Sequence, residues 1–129
     1  LGVSVALSEA ASAAEVQQLG QDALAQAFAG PVHLVLADTS RDTWPAEARD
    51  GLDRCMRDRA VLGPGTGRWP GLGGWYLPLL DADQPLGAAL VQPAQAGDED
   101  GRAHASAIAA LLAQALTRIA LAGAELAAR

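Results

Sequence analysis

The chain has 129 residues and a formal net charge of −6, half of its residues are hydrophobic, and it contains neither lysine nor asparagine. That length suits one domain around a single core. With arginine as its only long basic residue, it has no Walker-type phosphate loop, Schiff-base lysine or protein-kinase ATP lysine. The acidic balance argues against nucleic acid and against an anionic membrane surface, and the single Cys55 excludes a disulfide framework or a multi-cysteine zinc site.

Taken in chain order, Val3, Leu7 and Ala10 fall at helical spacing, so the chain opens inside a helix. Ser12 followed by Glu15 has the spacing of a capping box and predicts a fresh helix start. Val16, Leu19, Ala23, Leu24, Ala27 and Phe28 then form an apolar stripe of period 3.6, ended by Gly30-Pro31. His33 to Ala37 reads as a short buried strand and Asp38 to Asp42 as a polar turn, with a weak return strand through Thr43-Trp44. Pro45 suits the first turn of a third helix, with Glu47 beside the positive end of its dipole. Eleven charged residues lie between Asp38 and Arg59. Arg49–Asp53, Asp50–Arg54, Asp53–Arg57 and Arg54–Asp58 are opposite-sign pairs four apart. The other face of that helix is Ala48, Leu52, Cys55, Met56 and Ala60, so the charge run is its wet side.

Residues 63–74 hold six glycines and two prolines and form a loop. A hairpin follows: a strand from Trp75 to Leu80, a turn from Asp81 to Pro85, and a strand from Leu86 to Gln92. Pro78 places its missing donor at an edge or a bulge. After a polar link, Asp98-Glu99-Asp100 supply the cap and acidic first turn of a long last helix, about 102–128. Its charge-free run, Ala103 to Thr117, is shorter than the roughly 18 apolar residues a membrane span needs. Ile108, Leu112, Ala115, Ile119, Ala122 and Leu126 recur at spacings of four and three, a heptad seam with Leu111, Leu116 and Leu121 on its flanks. Such a seam predicts a homodimer through the terminal helices. With a first residue of Leu1 and no signal peptide, the expectation is a soluble, cytoplasmic domain excised from a longer protein.

The order helix, strand, charged helix, glycine loop, hairpin, long helix resembles a GAF domain. The hairpin carries the likeness: Trp75-Tyr76-Leu77-Pro78-Leu79, a polar turn, then Leu86-Gly87-Ala88-Ala89-Leu90. More narrowly, the chain is similar to the GAF-type domain of KdpD-family potassium-sensor histidine kinases. There a segment like Gly-Arg-Gly-Thr-Asp-Thr-Leu-Pro precedes Tyr-Leu-Pro-Leu; here it is Gly63-Pro64-Gly65-Thr66-Gly67-Arg68-Trp69-Pro70. The opening Leu7-Ser8-Glu9 helix, Ala27-Phe28 and the terminal heptad helix extend the likeness over the whole chain. Gly67 stands where the family has an aspartate, and the 54–59 stretch is arginine-rich where the family's helix is aromatic.

The resemblance implies an α+β fold. A central antiparallel sheet carries the first and last helices on one face and the charged helix with the glycine loop on the other. It implies a non-catalytic sensory and relay domain of an inner-membrane two-component kinase governing potassium uptake and osmosensing. The kinase core would lie in cis, a response regulator would be the partner of the parent protein, and no cofactor, nucleic acid or direct membrane contact is expected. A ligand-free dimerisation module and a small-molecule-binding GAF domain of another regulator are the alternatives, and an enzyme the weakest.

Candidate chemistry is sparse. His104 lacks the acidic neighbour of a phosphoacceptor histidine, being followed by Ala105 and Ser106, and reads as a helix-surface histidine. His33 has no second ligand at metal spacing and reads as a core histidine. Cys55 shares a face with Leu52 and Met56 and reads as an apolar filler. The 63–74 loop is the one segment with a possible ligand: Arg68 as an anion donor and Trp69, Trp75 and Tyr76 as covers for a planar group, with Met56, Arg68, Trp69 and Tyr76 as the candidate pocket. The plainer reading, which the departures from the family pattern favour, is that the tryptophans close the end of the core and Arg68 faces water.

Overall fold

The structure of the chain, a computed structural model, describes residues 2–92 and 95–128. Leu1, Pro93, Ala94, Arg129 and the side chain of Val3 lie outside the described residues. Helices α1 (Gly2–Glu9) and α2 (Ala13–Ala27) lead into strand β1 (Val32–Leu36). Two 3-10 turns (Arg41–Thr43 and Ala46–Ala48) precede α3 (Arg49–Asp58), and the β2 (Trp75–Asp81) and β3 (Gln84–Val91) hairpin is followed by α4 (Glu99–Ala127). The expected capping box forms in part at the start of α2: Ser12 is the N-cap, but the reciprocal bond goes to the residue before it. The Glu15 amide donates to Ser12 Oγ at 3.2 Å, while the Glu15 carboxylate reaches back to the Ala11 amide at 3.4 Å.

The three strands form an antiparallel sheet in the order β1-β3-β2. One rung joins His33, Leu90 and Tyr76 across it. Because side chains alternate along a strand, the two faces collect different residues. Val32, Leu34, Leu36, Trp75, Leu77, Leu79, Ala89 and Val91 meet Leu7, Val16, Leu24, Ile108, Leu112 and Leu116 of α1, α2 and α4. Val35, Tyr76, Ala88 and Leu90 meet Trp44, Leu52, Cys55 and Met56 on the α3 side. Helices thus cover both faces in the predicted arrangement, which is why both hairpin strands are apolar throughout rather than alternating.

Several local expectations are corrected. Thr43-Trp44 is no return strand: Thr43 ends a 3-10 turn, and Trp44 is buried with its Nε1 donating to Thr39 Oγ1 at 3.2 Å. On α2 the buried residues are Val16, Gly20 and Leu24, with Leu19 and Ala23 only half-buried and Ala27 exposed. Gly20 shifts the stripe because Leu34 and Leu112 pack so close that a Cβ there would collide with both. The four-apart charge pairs of α3 do not close into ion pairs among the described residues. Asp53 turns instead to Arg41 at 2.7 Å, and the Arg54 guanidinium lies 4.3 Å over the Trp69 ring.

Two edge devices depend on side chains far apart in sequence. The outer edge of β1 is paired by α2: Gln21 donates to the Val32 carbonyl at 2.7 Å and accepts from the Leu34 amide at 3.0 Å. Gln17 donates to the Leu34 carbonyl at 3.2 Å. These amides stand in for a neighbouring strand and blunt an edge that would otherwise template aggregation. On the other edge, Tyr76 exchanges both backbone bonds with Leu62, at 2.9 Å each. Pro78 is two residues on, so its missing N–H faces the same outward side, where no ladder needs it.

The heptad seam is divided by the fold. Ile108, Leu112 and Ala115 are buried in the protein's own core, Ile119 packs against that core, and only Ala122 and Leu126 are exposed. The first three therefore cannot face a partner helix. Beyond Ile119 every described residue of α4 is exposed, Leu121 at 60% and Leu126 at 68%. The membrane estimate is corrected too: α4 is long and apolar enough to cross a bilayer, with a mean hydropathy of 1.6 over its best window. Length and composition alone satisfy that test; Leu112 and Leu116 are buried in the core, so the first part of α4 is a core segment, while a third of the apolar window is buried in all.

Candidate functional site

The glycine loop is a pinned structure. The Gly63 amide donates to the Arg68 carbonyl at 2.8 Å, and Thr66 Oγ1 donates to the Gly63 carbonyl at 2.7 Å while accepting from the Arg68 amide at 3.1 Å. Gly63 has φ +121°, and a Cβ there would strike the Gly74 carbonyl, so this position requires glycine. The Trp75 indole, almost fully buried, donates to the Pro64 carbonyl at 2.9 Å and ties the loop to the sheet.

This geometry separates the four residues expected to line one pocket. Met56 and Tyr76 are packed in the α3-side core, where the Tyr76 ring lies so close to Gly51 that a Cβ would collide with it. Trp69 is half exposed and stacked by Arg54. Arg68 lines a hollow on another side of the loop, against the start of α4. The tryptophan-closure reading therefore fits Trp75, which seals the end of the core, but not Trp69, which lies on the surface.

The remaining chemical groups are placed equally plainly. Cys55 is fully buried, and burial, with the Asp58 carboxylate adding to it, pushes its thiol well above the ordinary range; such a thiol is inert as a nucleophile. Burial also raises the Tyr76 phenol. His33 is half-buried on the α3 side of β1, and His104 is exposed on α4, its ring 5.8 Å from that of Phe28. Among the described residues no group of three His, Cys, Asp or Glu could hold a metal ion.

Of the hollows along α4, two adjoin on the side of the glycine loop and β2. The larger, about 940 Å³, runs between the outer edge of β2 and α4, with Leu77, Pro78, Leu80, Ala109 and Ala113 among its walls. The smaller, about 460 Å³, is bounded by Gly65, Thr66, Arg68, Glu99 and Arg102. Arg102 escaped the sequence reading because the loop's partners were sought in the hairpin. A signal was present: Arg102 places a cation in an otherwise acidic first turn, against the helix dipole.

No protein-family model matches the chain, and no curated protein sequence does. Among solved structures, the chain is similar to the native GAF domain of the potassium sensor histidine kinase KdpD from Escherichia coli. The TM-score is 0.75 at 21% identity, over 97% of this chain and 95% of that one. The fold is a GAF fold.

Proposed function

We infer that the chain is a non-catalytic sensory domain of a KdpD-type potassium-sensor histidine kinase, working in the cytoplasm and passing a signal through α4. The observation that carries this reading is the likeness to the Escherichia coli KdpD domain along nearly the whole of both chains. It agrees with the order of motifs across 63–90 and with a terminal helix that leaves the core. The absence of a cofactor or metal requirement belongs to the same reading, as does a response regulator reached through the kinase core.

Arg118 supplies a mechanical rationale. Its guanidinium donates to the carbonyls of Leu7 and Ala10 at 2.7 and 3.0 Å, clamping the C-terminal end of α1 to α4. The Leu7 carbonyl also accepts from the Ala10 amide at 3.3 Å, and a cation is favoured beside the last carbonyls of a helix. The clamp makes α1 and α4 move together, so rotation or translation of one is delivered to the other. The homodimer rests on the exposed end of α4, with Leu121, Ala122 and Leu126, rather than on the whole seam.

The test is a chimera in which residues 2–128 replace the corresponding domain of Escherichia coli KdpD. Potassium-dependent autophosphorylation should persist. Adding one residue after Ala127 rotates the downstream helix by about 100° and should lock the output, while adding seven should restore it. A kinase indifferent to both insertions would refute the relay. The ligand-free dimerisation module is a second reading, favoured by one observation: Tyr76, Met56 and Trp44 fill the α3 side of the sheet. A chimera that phosphorylates normally but no longer responds to potassium would favour that spacer.

A further inference from the structure

Two of the hollows along α4 adjoin, sharing Ala60, Val61 and Ser106 as walls, and together make up a groove. It follows α4 from Arg102 to Glu125, a helix length of about 35 Å. Its middle is apolar, walled by Val61, Leu77, Pro78, Leu80, Ala109 and Ala113. One end is cationic. Among the described residues, the guanidinium groups of Arg68 and Arg102 neither enter an ion pair nor donate a hydrogen bond, and Arg102 Nη1 is shielded from water without a partner.

The arginines at the far end differ: Arg59 donates to the Asp83 carbonyl at 2.6 Å, and Arg118 holds α1. A shielded charged donor without an acceptor is costly, and native structures supply one. Glu99 is the acid among the walls of the cationic end. Two guanidinium groups against one carboxylate leave a single net positive charge, which suits a monoanion better than a dianion.

We propose that this groove binds a single-chain amphiphile with a monoanionic head, the chemistry of a fatty-acid carboxylate. The head lies between Arg68 and Arg102, and the chain runs past Val61 and Pro78 along the alanine face of α4. The site lies along the outer edge of β2, apart from the filled α3 side, and the proposal stands whether or not the chain serves a kinase.

Calorimetric titration of the chain with octanoate, decanoate and dodecanoate, each below its micelle concentration, tests it. Saturable one-to-one binding is expected, tightening about twofold to fourfold per methylene. Arg102→Gln should weaken decanoate about tenfold. Ala110→Trp, at an exposed position on the groove wall, should block binding while leaving the unfolding midpoint unchanged. Neutral decanol should bind much more weakly than decanoate. Equal affinity for decanol, no saturation, indifference to both substitutions, or attachment only to vesicles of an anionic phospholipid would each overturn the proposal.

Discussion

Leu112 distinguishes a core helix from a dimer helix. Its side chain is fully buried, with its two methyl groups against Gly20 and among Leu34, Leu77 and the other residues of the α1–α2–α4 side. Leu112→Ala removes those methyls from a site whose floor is a glycine, where there is no side chain to collapse into the gap. The expected cost is therefore toward the upper part of the usual range, about 3–5 kcal/mol. A domain of this size has about 5–15 kcal/mol in total. With a urea slope of about 2 kcal/mol/M, the midpoint should fall by about 2 M. Urea unfolding followed by circular dichroism at two protein concentrations tenfold apart gives the answer. A loss below about 1 kcal/mol, or one that grows on dilution, would show that Leu112 faces a partner chain and would refute the division of the seam.

The complementary change, Leu126→Asp, should leave monomer unfolding within about 0.5 kcal/mol of the parent, the scale of an exposed substitution, yet lower the dimer fraction in sedimentation equilibrium; an unaltered fraction would remove Leu126 from the interface. Gln21→Ala strips the β1 edge of a donor and an acceptor and should cost about 1–3 kcal/mol, with faster amide exchange at Leu34 as its specific sign. Gly63→Ala forces both a left-handed conformation and a clash with the Gly74 carbonyl, and should lose about 2 kcal/mol or more in thermal unfolding; a smaller effect would mean the loop relaxes freely. The Cys55 thiol is held protonated by burial, so above its ordinary range the unfolded chain releases a proton that the folded chain keeps. Stability should then fall with rising pH, with a slope that approaches about 1.4 kcal/mol per unit only well above the ordinary thiol pKa of about 8.5, and Cys55→Ala should remove that component between pH 8 and 10, leaving any contribution from Tyr76.

Much of this architecture is carried by local patterns. Ser12 and Glu15 mark a helix start that Ser12 caps, with the Glu15 carboxylate bonding the Ala11 amide, and of the expected third-helix stripe Ala48, Leu52, Cys55 and Met56 are buried and Ala60 half-buried. Pro78 tells of an edge, and the edge is there. Patterns misled where a neighbour intervened. The four-apart charges of α3 satisfy a helix rule worth a few tenths of a kcal/mol, too little to hold Arg54 and Asp53 once Trp69 and Arg41 come within reach. The proposed pocket failed for a similar reason: Met56, Arg68, Trp69 and Tyr76 are near in chain order, but the loop's turn at 63–68 sends Arg68 toward α4 and leaves Tyr76 under α3.

By itself the sequence determined most of the elements and the order of helices and hairpin, because these follow from spacing, caps and residue type within single segments. Only the tertiary structure decided which part of the α4 seam is spent inside the fold, that glutamines complete the β1 edge, and that Arg68 and Arg102 line the same hollow. A helical period states that a face is apolar; it carries no information about whose surface will cover it. Nor does the period of α4 record a loop thirty residues upstream, and it is the loop that brings the second arginine.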